Sequence, residues 1–281
     1  MSRWVGDIVG PGFAQVSQVN DILYDHRSPY QHVQVASSPI FGRMLILDDA
    51  VQTTEADEYL YHEMLAHPAL VTHPRPRHVL VVGGGDGGTL EEVLKHPVEH
   101  VTMVEIDREV VEVSQRYLPM ISAGAFDDPR VRLLIEDGIA FVRTTSERFD
   151  VILVDSPDPK GPGTALFAYE FFAACAGILT YDGVLVAQSG SLLYQRDLSG
   201  LVRQYLGALF PIVTTYWAPV PAYPGALWSF TYGAKRHDLR QLGADAVAAR
   251  LATLSTRYYA PATHAAALHL PALPEASRLS R

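Results

Sequence analysis

Residues 79–94, Val-Leu-Val-Val-Gly-Gly-Gly-Asp-Gly-Gly-Thr-Leu-Glu-Glu-Val-Leu, pass from a β-branched apolar run through a glycine-rich turn into a helix-forming segment. The apolar run has the character of a strand buried on both faces, and the glycines let backbone approach a ligand closely, as in nucleotide-binding βα turns. The pattern then repeats. Strands are expected over 79–82, 101–105, 131–135, 151–154 and 184–188, with a closing pair over 213–217 and 228–232. Strand alternating with helix argues for a parallel sheet covered by helices on both faces.

Upstream, the composition is different. Alternation such as Val33-Gln34-Val35 and the run Met44-Leu45-Ile46-Leu47, broken at Ser37-Ser38-Pro39 and Asp48-Asp49, predicts a small antiparallel β domain ending near Thr54. A helix is expected over 55–69, with Tyr59, Leu60, Met64 and Leu65 at helical spacing and Pro68 as its stop. The division predicted is an N-terminal β domain over 1–56 and a catalytic domain over 57–281. At the other end a helix is expected around 244–254, with a looser tail beyond Pro271.

The chain of 281 residues is 48% hydrophobic and supports a full core. Its 22 Lys and Arg against 31 Asp and Glu disfavour a nucleic-acid backbone as partner and permit a cationic small molecule. Cys175 is the sole cysteine, so neither a disulfide framework nor a cysteine zinc site is available. His62 and His67 lie five apart, off a shared helix face, and no metal is expected. The start, Met-Ser-Arg-Trp-Val-Gly-Asp, lacks a signal peptide's apolar core, and the expectation is a cytoplasmic protein. The uncharged segment 204–234 carries Pro211, Pro219, Pro221 and Pro224 and reads as strand, loop and strand, with no membrane span.

Acids recur where the expected strands end. Glu105 closes the second strand about 20 residues after the glycine turn, the place where an acid hydrogen-bonds both ribose hydroxyls of a nucleoside. Asp86 lies inside the glycine turn, where it would repel a pyrophosphate by roughly 4 kcal/mol at about 4 Å and an effective dielectric near 20. A dinucleotide is therefore disfavoured, and a ligand with a sulfonium or amine at that point is attracted. A purely local role is also open to Asp86, as a cap for the helix beginning at Gly88 and Thr89. Asp137 follows the third strand and, on spacing alone, marks a turn. Asp155 and Asp158 close the fourth, paired acids suited to a cationic substrate or to a proton that must be removed.

Taken together, Gly83–Gly88, Val104-Glu105-Ile106-Asp107, Glu136-Asp137-Gly138 and Asp155-Ser156-Pro157-Asp158-Pro159-Lys160-Gly161-Pro162 resemble the motif series of the polyamine aminopropyltransferases, the spermidine synthase family. The resemblance also covers Gln52-Thr53-Thr54-Glu55, 57–64, Tyr223-Pro224-Gly225 and Tyr258-Tyr259-Ala260-Pro261, nearly the whole chain. It implies an α/β fold, a methyltransferase-like Rossmann domain with a small N-terminal antiparallel β domain, assembled as a homodimer or homotetramer. The implied reaction is aminopropyl transfer from decarboxylated S-adenosylmethionine, a co-substrate and not a prosthetic group, to a diamine such as putrescine, with release of methylthioadenosine. The alternatives are an S-adenosylmethionine-dependent amine N-methyltransferase and an aminopropyltransferase with another acceptor.

Carried over by motif, Gln31, Glu105, Asp137, Gly138 and Pro162 hold the nucleoside, and Asp86 takes the aminopropyl amine. Tyr61, His62, Asp158, Gln188 and Tyr223 line the amine channel, and Asp155 accepts the proton. An alkyl amine has a pKa near 10.4, so presenting it neutral at pH 7 costs roughly 4.6 kcal/mol and a base is needed. The chain departs from its relatives at Pro157, where Ser or Thr is usual, and at Lys160, where an apolar residue is usual. Lys160 puts a cation two residues from Asp158.

Overall fold

The computed structural model describes residues 3–10, 13–159 and 161–270. Six strands come first: β1 (Arg3–Gly10), β2 (Phe13–Val19), β3 (Asp21–Arg27), β4 (His32–Ser38), β5 (Gly42–Leu47) and β6 (Ala50–Thr54). They form two antiparallel sheets, a β1-β2 hairpin and a β3-β4-β5-β6 meander, where a single small sheet was expected. The chain changes partner at Asn20, whose N–H donates to Ser37 O of β4, which leaves β2 to pair with β1 alone. Alternation on β4 and β5 is used in full. Val33, Val35, Leu45 and Leu47 pack on Val110, Val113 and Leu118, while Ala36, Met44 and Ile46 join the main core.

Helix α1 (Glu58–Thr72) leads into the second part and runs straight through Pro68, the expected stop. A proline in a helix leaves the carbonyl four residues earlier without its N–H donor. Here that carbonyl belongs to Met64, and the fully buried Tyr216 hydroxyl donates to it at 2.8 Å. The helix survives because tertiary structure fills the gap that the sequence opens.

The second part contains β7 (His78–Gly83), α2 (Gly88–Leu94), β8 (His100–Glu105), α3 (Arg108–Tyr117), α4 (Pro119–Ser122), β9 (Val131–Ile135), α5 (Gly138–Thr144), β10 (Phe149–Asp155), α6 (Tyr169–Ile178), β11 (Leu179–Ser191), α7 (Arg196–Leu209), β12 (Ile212–Pro219) and β13 (Leu227–Ala234). All seven expected strands are present, in the order β12-β13-β11-β10-β7-β8-β9. The pairs from β11 through β10, β7 and β8 to β9 are parallel, and β13 and β12 close the sheet antiparallel. This is the α/β, methyltransferase-like Rossmann architecture. The 204–234 segment differs from its reading only at its start, where 204–209 completes α7.

Apolar layers cover both faces. Val79 and Val81 point into the core shared with α1 and α2, and Leu80 and Val82 into the core shared with α5, α6 and α7. At the end of the described chain, α8 (Ala244–Leu251) is three residues shorter than expected, and α9 (Pro261–Ala267) was not anticipated. The expected loose tail beyond Pro271 lies outside the described residues. No described helix is long and apolar enough to cross a membrane.

Candidate active site

The sheet order reverses beside β7. From β7 the chain progresses outward through β8 and β9, and then returns to β10 on the other side, so a crevice opens where β7 and β10 end together. At that edge Asp155 is in register with Gly83, and Asp155 O accepts the Gly84 N–H at 2.9 Å. Gly83 and Gly84 have φ of 83° and 75°. A Cβ on Gly83 would lie 2.1 Å from Asp155 O, and one on Gly84 2.9 Å from Asp155 Oδ2. The glycine turn is thus the floor against which an acid from the neighbouring strand is laid.

A cavity of about 140 Å³ stands over this floor. Asp86, Glu105, Asp137, Asp155 and Asp158 all line it, so the acids expected at the strand ends converge on one space. Asp155 is held from both sides: the Tyr61 hydroxyl donates to Oδ1 at 2.8 Å and the Thr89 hydroxyl to Oδ2 at 2.6 Å. Burial and then the Asp86 charge raise its pKa, which makes it a better proton acceptor than an exposed aspartate. Burial followed by Asp155 raises Tyr61 in turn, so its phenol stays protonated and donates.

Glu105 ends β8 under the Gly85 backbone. Burial lifts its pKa to about 7, against the pull of the Asp107 N–H, which donates to Oε1 at 2.9 Å. Asp107 caps α3 by accepting from Glu109 N, and its other oxygen takes the amides of Gln31 at 3.0 Å and the hydroxyl of Ser28 at 2.6 Å. This fixes Gln31, from the loop before β4, on the cavity wall. Asp137 caps α5 through Ile139 N at 2.8 Å, and Gly138 abuts Val82, where a Cβ would come within 2.7 Å. Asp86 accepts from Gly88 N at 2.8 Å, so one of the two helix contacts weighed for it forms alongside its place on the cavity, while Gly87 takes the N-cap position of α2.

Several other site residues arrive from distant parts of the chain. Gln188 of β11 lines the cavity and donates to Ser156 O at 3.0 Å, pinning the loop after β10, Pro157 included. Tyr223 packs edge-on to Tyr61 with ring centroids 5.6 Å apart, and its hydroxyl donates to Gln52 O. His62 does not reach the cavity wall. It is 1% exposed and stands behind Asp86, because a helix that presents Tyr61 to Asp155 turns the next residue away. The side chain of Pro162, and Lys160 as a whole, lie outside the described residues.

Four side chains were not found by sequence reasoning. Asp7 is buried and lines the cavity from β1, on the face of the strand opposite Trp4. Thr89 holds Asp155, Gln195 donates to Asp158 Oδ2 at 2.7 Å, and Gln52 adds to the wall. Alternation of Trp4-Val5-Gly6-Asp7 was the signal available for Asp7.

Among the described residues one cluster of metal-ligand type lies elsewhere: His73, Asp182 and His237 bring ligand atoms within 4.8 Å of one another. The Arg75 N–H donates to His73 Nδ1 at 3.2 Å, so the neutral ring carries its proton on Nε2 and turns a donor, not a lone pair, toward Asp182. No metal is assigned to it.

An open sheet with a glycine floor at its switch point, an acid at the end of the second strand and further acids around one cavity define a Rossmann-like enzyme with an acid-lined pocket at its switch point. Family models match in two pieces: residues 58–241 fit the spermine/spermidine synthase domain, and residues 3–55 the spermidine synthase tetramerisation domain. The chain belongs to the spermine/spermidine synthase family, and is an enzyme of the transferase class. It is 44% identical to a polyamine aminopropyltransferase of Desulforudis audaxviator over 96% of this chain and 97% of that protein. It is 45% identical to one of Moorella thermoacetica, with 95% and 93% covered. A solved spermidine synthase in complex with the transition-state analogue AdoDATO superposes with TM-score 0.91 at 37% identity, covering 96% of this chain and 92% of that one. The Thermotoga maritima spermidine synthase gives 0.88 at 36%, covering 96% and 91%.

Proposed function

We propose that the enzyme transfers the aminopropyl group of decarboxylated S-adenosylmethionine to a primary amine of a diamine, putrescine by default, and releases methylthioadenosine. The observation that carries this reading is that Asp86, from the turn after β7, and Asp155, at the end of β10, line one cavity with Glu105 beside them. Glu105 takes the ribose hydroxyls, Asp137 and Gly138 the adenine edge, and Gln31 and Pro162 the remaining nucleoside wall. Asp86 binds the ammonium of the donor. A donor that retained its carboxylate would bring an anion to these acids, and that mismatch selects the decarboxylated form.

On the acceptor side, Asp158, Gln188, Tyr223 and the buried Asp7 hold a diamine so that its near nitrogen faces Asp155. His62, expected on the amine channel, stands behind Asp86 and acts through that donor-side acid instead. Asp155 accepts the proton as that nitrogen attacks the carbon next to sulfur, and the neutral thioether leaves in line. Tyr61 and Thr89 keep the carboxylate oriented, so positioning accounts for much of the rate. The β region over 1–56 and the catalytic region over 57–281 act as two domains, assembled as a homodimer or homotetramer in the cytoplasm. The match of 3–55 to a tetramerisation domain supports that assembly.

The test offers the protein each donor with a panel of diamines and triamines and identifies products by mass. Aminopropyl adducts with methylthioadenosine are expected, and a methyl adduct overturns the reading. Asp155→Asn should lower turnover by about 10²–10⁴-fold while donor binding is kept. Undiminished turnover would remove Asp155 from the base role.

A further inference from the structure

We propose that Glu58 and Arg257 are positioning residues which act through His62 to fix Asp86, the acid at the donor side of the cavity. The inference rests on the reading above for the identity of the ligand at Asp86, and on the contacts alone for the relay itself.

The contacts form an unbroken line. Arg257 Nη1 donates to Glu58 Oε1 at 3.1 Å, Glu58 Oε2 lies 2.9 Å from His62 Nδ1, and His62 Nε2 lies 3.4 Å from Asp86 Oδ1. Glu58 and His62 are one helical turn apart on α1, which stacks carboxylate and ring on one face. Arg257 is itself held in place. Its guanidinium sits 3.7 Å over the Tyr59 ring, and the backbone N–H groups of Arg257, Tyr258 and Tyr259 all donate to the Glu63 carboxylate. The segment after α8 is thereby clamped onto the helix that carries His62.

Both nitrogens of His62 face carboxylate oxygens, which only accept. A neutral imidazole has one N–H, so only the imidazolium donates to both. The acids around it come from the elements packed on the ring: Asp57 and Glu58 at the start of α1, Glu92 on α2, Asp86 in the glycine turn and Asp155 at the end of β10. Burial opposes the charge, but Asp86 and Glu58 together outweigh it and hold the pKa well above the usual histidine range.

Gly88 is what admits the ring, since a Cβ there would lie 2.2 Å from it, and its N–H donates to the same Asp86 Oδ1 that His62 faces. One oxygen of Asp86 is therefore held by the protein, and the carboxylate has a fixed direction before any ligand arrives. A buried cation within a group of acids also limits their mutual repulsion, which would otherwise push one of them to take up a proton.

The experiment combines NMR titration of the His62 ring in the ligand-free enzyme with steady-state kinetics of Glu58→Gln and Arg257→Lys. In the wild type both ring nitrogens should stay protonated well above the pH at which an ordinary histidine titrates, whereas Glu58→Gln should move the titration down toward that ordinary range. The same variant should raise the donor KM about tenfold and leave the acceptor KM within about twofold, and Arg257→Lys, which keeps the charge, should retain most of the wild-type value. A wild-type His62 that titrates near its ordinary value overturns the proposal. So does a folded Glu58→Gln enzyme with an unchanged donor KM, or one in which both KM values rise equally. Absence of aminopropyl transfer with every amine would instead defeat the functional reading, and the ring titration would still report on the relay.

Discussion

Glu105 shows how a single burial decides a pH response. Its pKa is about 7 in the folded chain against an ordinary 4.5, because the carboxyl is removed from water at the end of β8. Below about pH 4.5 it is protonated folded or unfolded and has no effect on stability. Between about pH 4.5 and 7 the unfolded chain gives up this proton while the folded chain keeps it, so the penalty grows to about 3 kcal/mol and is constant once the buried carboxyl ionises above 7. Glu105→Gln should therefore raise the melting temperature of the ligand-free protein at pH 8 and leave it unchanged at pH 4.5, read by calorimetry. If Glu105 holds the ribose as proposed, methylthioadenosine should bind the wild type more tightly at pH 8 than at pH 6, since the ionised form would accept the ribose donors. That trend should vanish in the variant. The residue type and its place at a strand end were legible in the sequence. Its protonation was not, because desolvation depends on what covers the strand.

Among elements, α1 was read with the wrong end, and the reason is physical. Pro68 reads as a stop because it removes an N–H, yet the Tyr216 hydroxyl from β12 serves the orphaned Met64 carbonyl. Tyr216→Phe should cost about 1–3 kcal/mol by leaving a buried acceptor unpaired. Pro68→Ala restores the helix donor, so the same Tyr216→Phe change made in that background should cost much less. A double-mutant cycle by denaturant unfolding measures the coupling, and additive losses would show that the two groups do not compensate each other. The seven strands, by contrast, were legible to within a few residues, since a β-branched run buried on both faces carries its own signal. The partner change at Asn20 left no such mark.

Considered whole, the molecule places its first hairpin in two roles. The inner face of β1 gives Asp7 to the cavity, while the outer face of the hairpin exposes Trp4 at 59% and Val16 at 58%. Apolar residues on the outer face reverse the usual alternation of a half-solvated sheet and mark a surface that another subunit would cover. Val16→Lys should shift the assembly to smaller species in sedimentation velocity, and an unchanged distribution would remove this face from the interface.

The sequence by itself determined the run of strands, the glycine turn, the acids at the strand ends and the resemblance those motifs carry, because each rests on local periodicity or on contiguous residues. Tertiary structure alone decided that Asp7 and Gln195 join those acids across long stretches of chain, and that His62 stands behind Asp86 rather than in the cavity. It also decided which carboxyls are dry enough to hold a proton near neutrality. The division follows from range. Backbone preference acts within a few residues, whereas convergence, burial and pKa depend on neighbours that only the folded chain supplies.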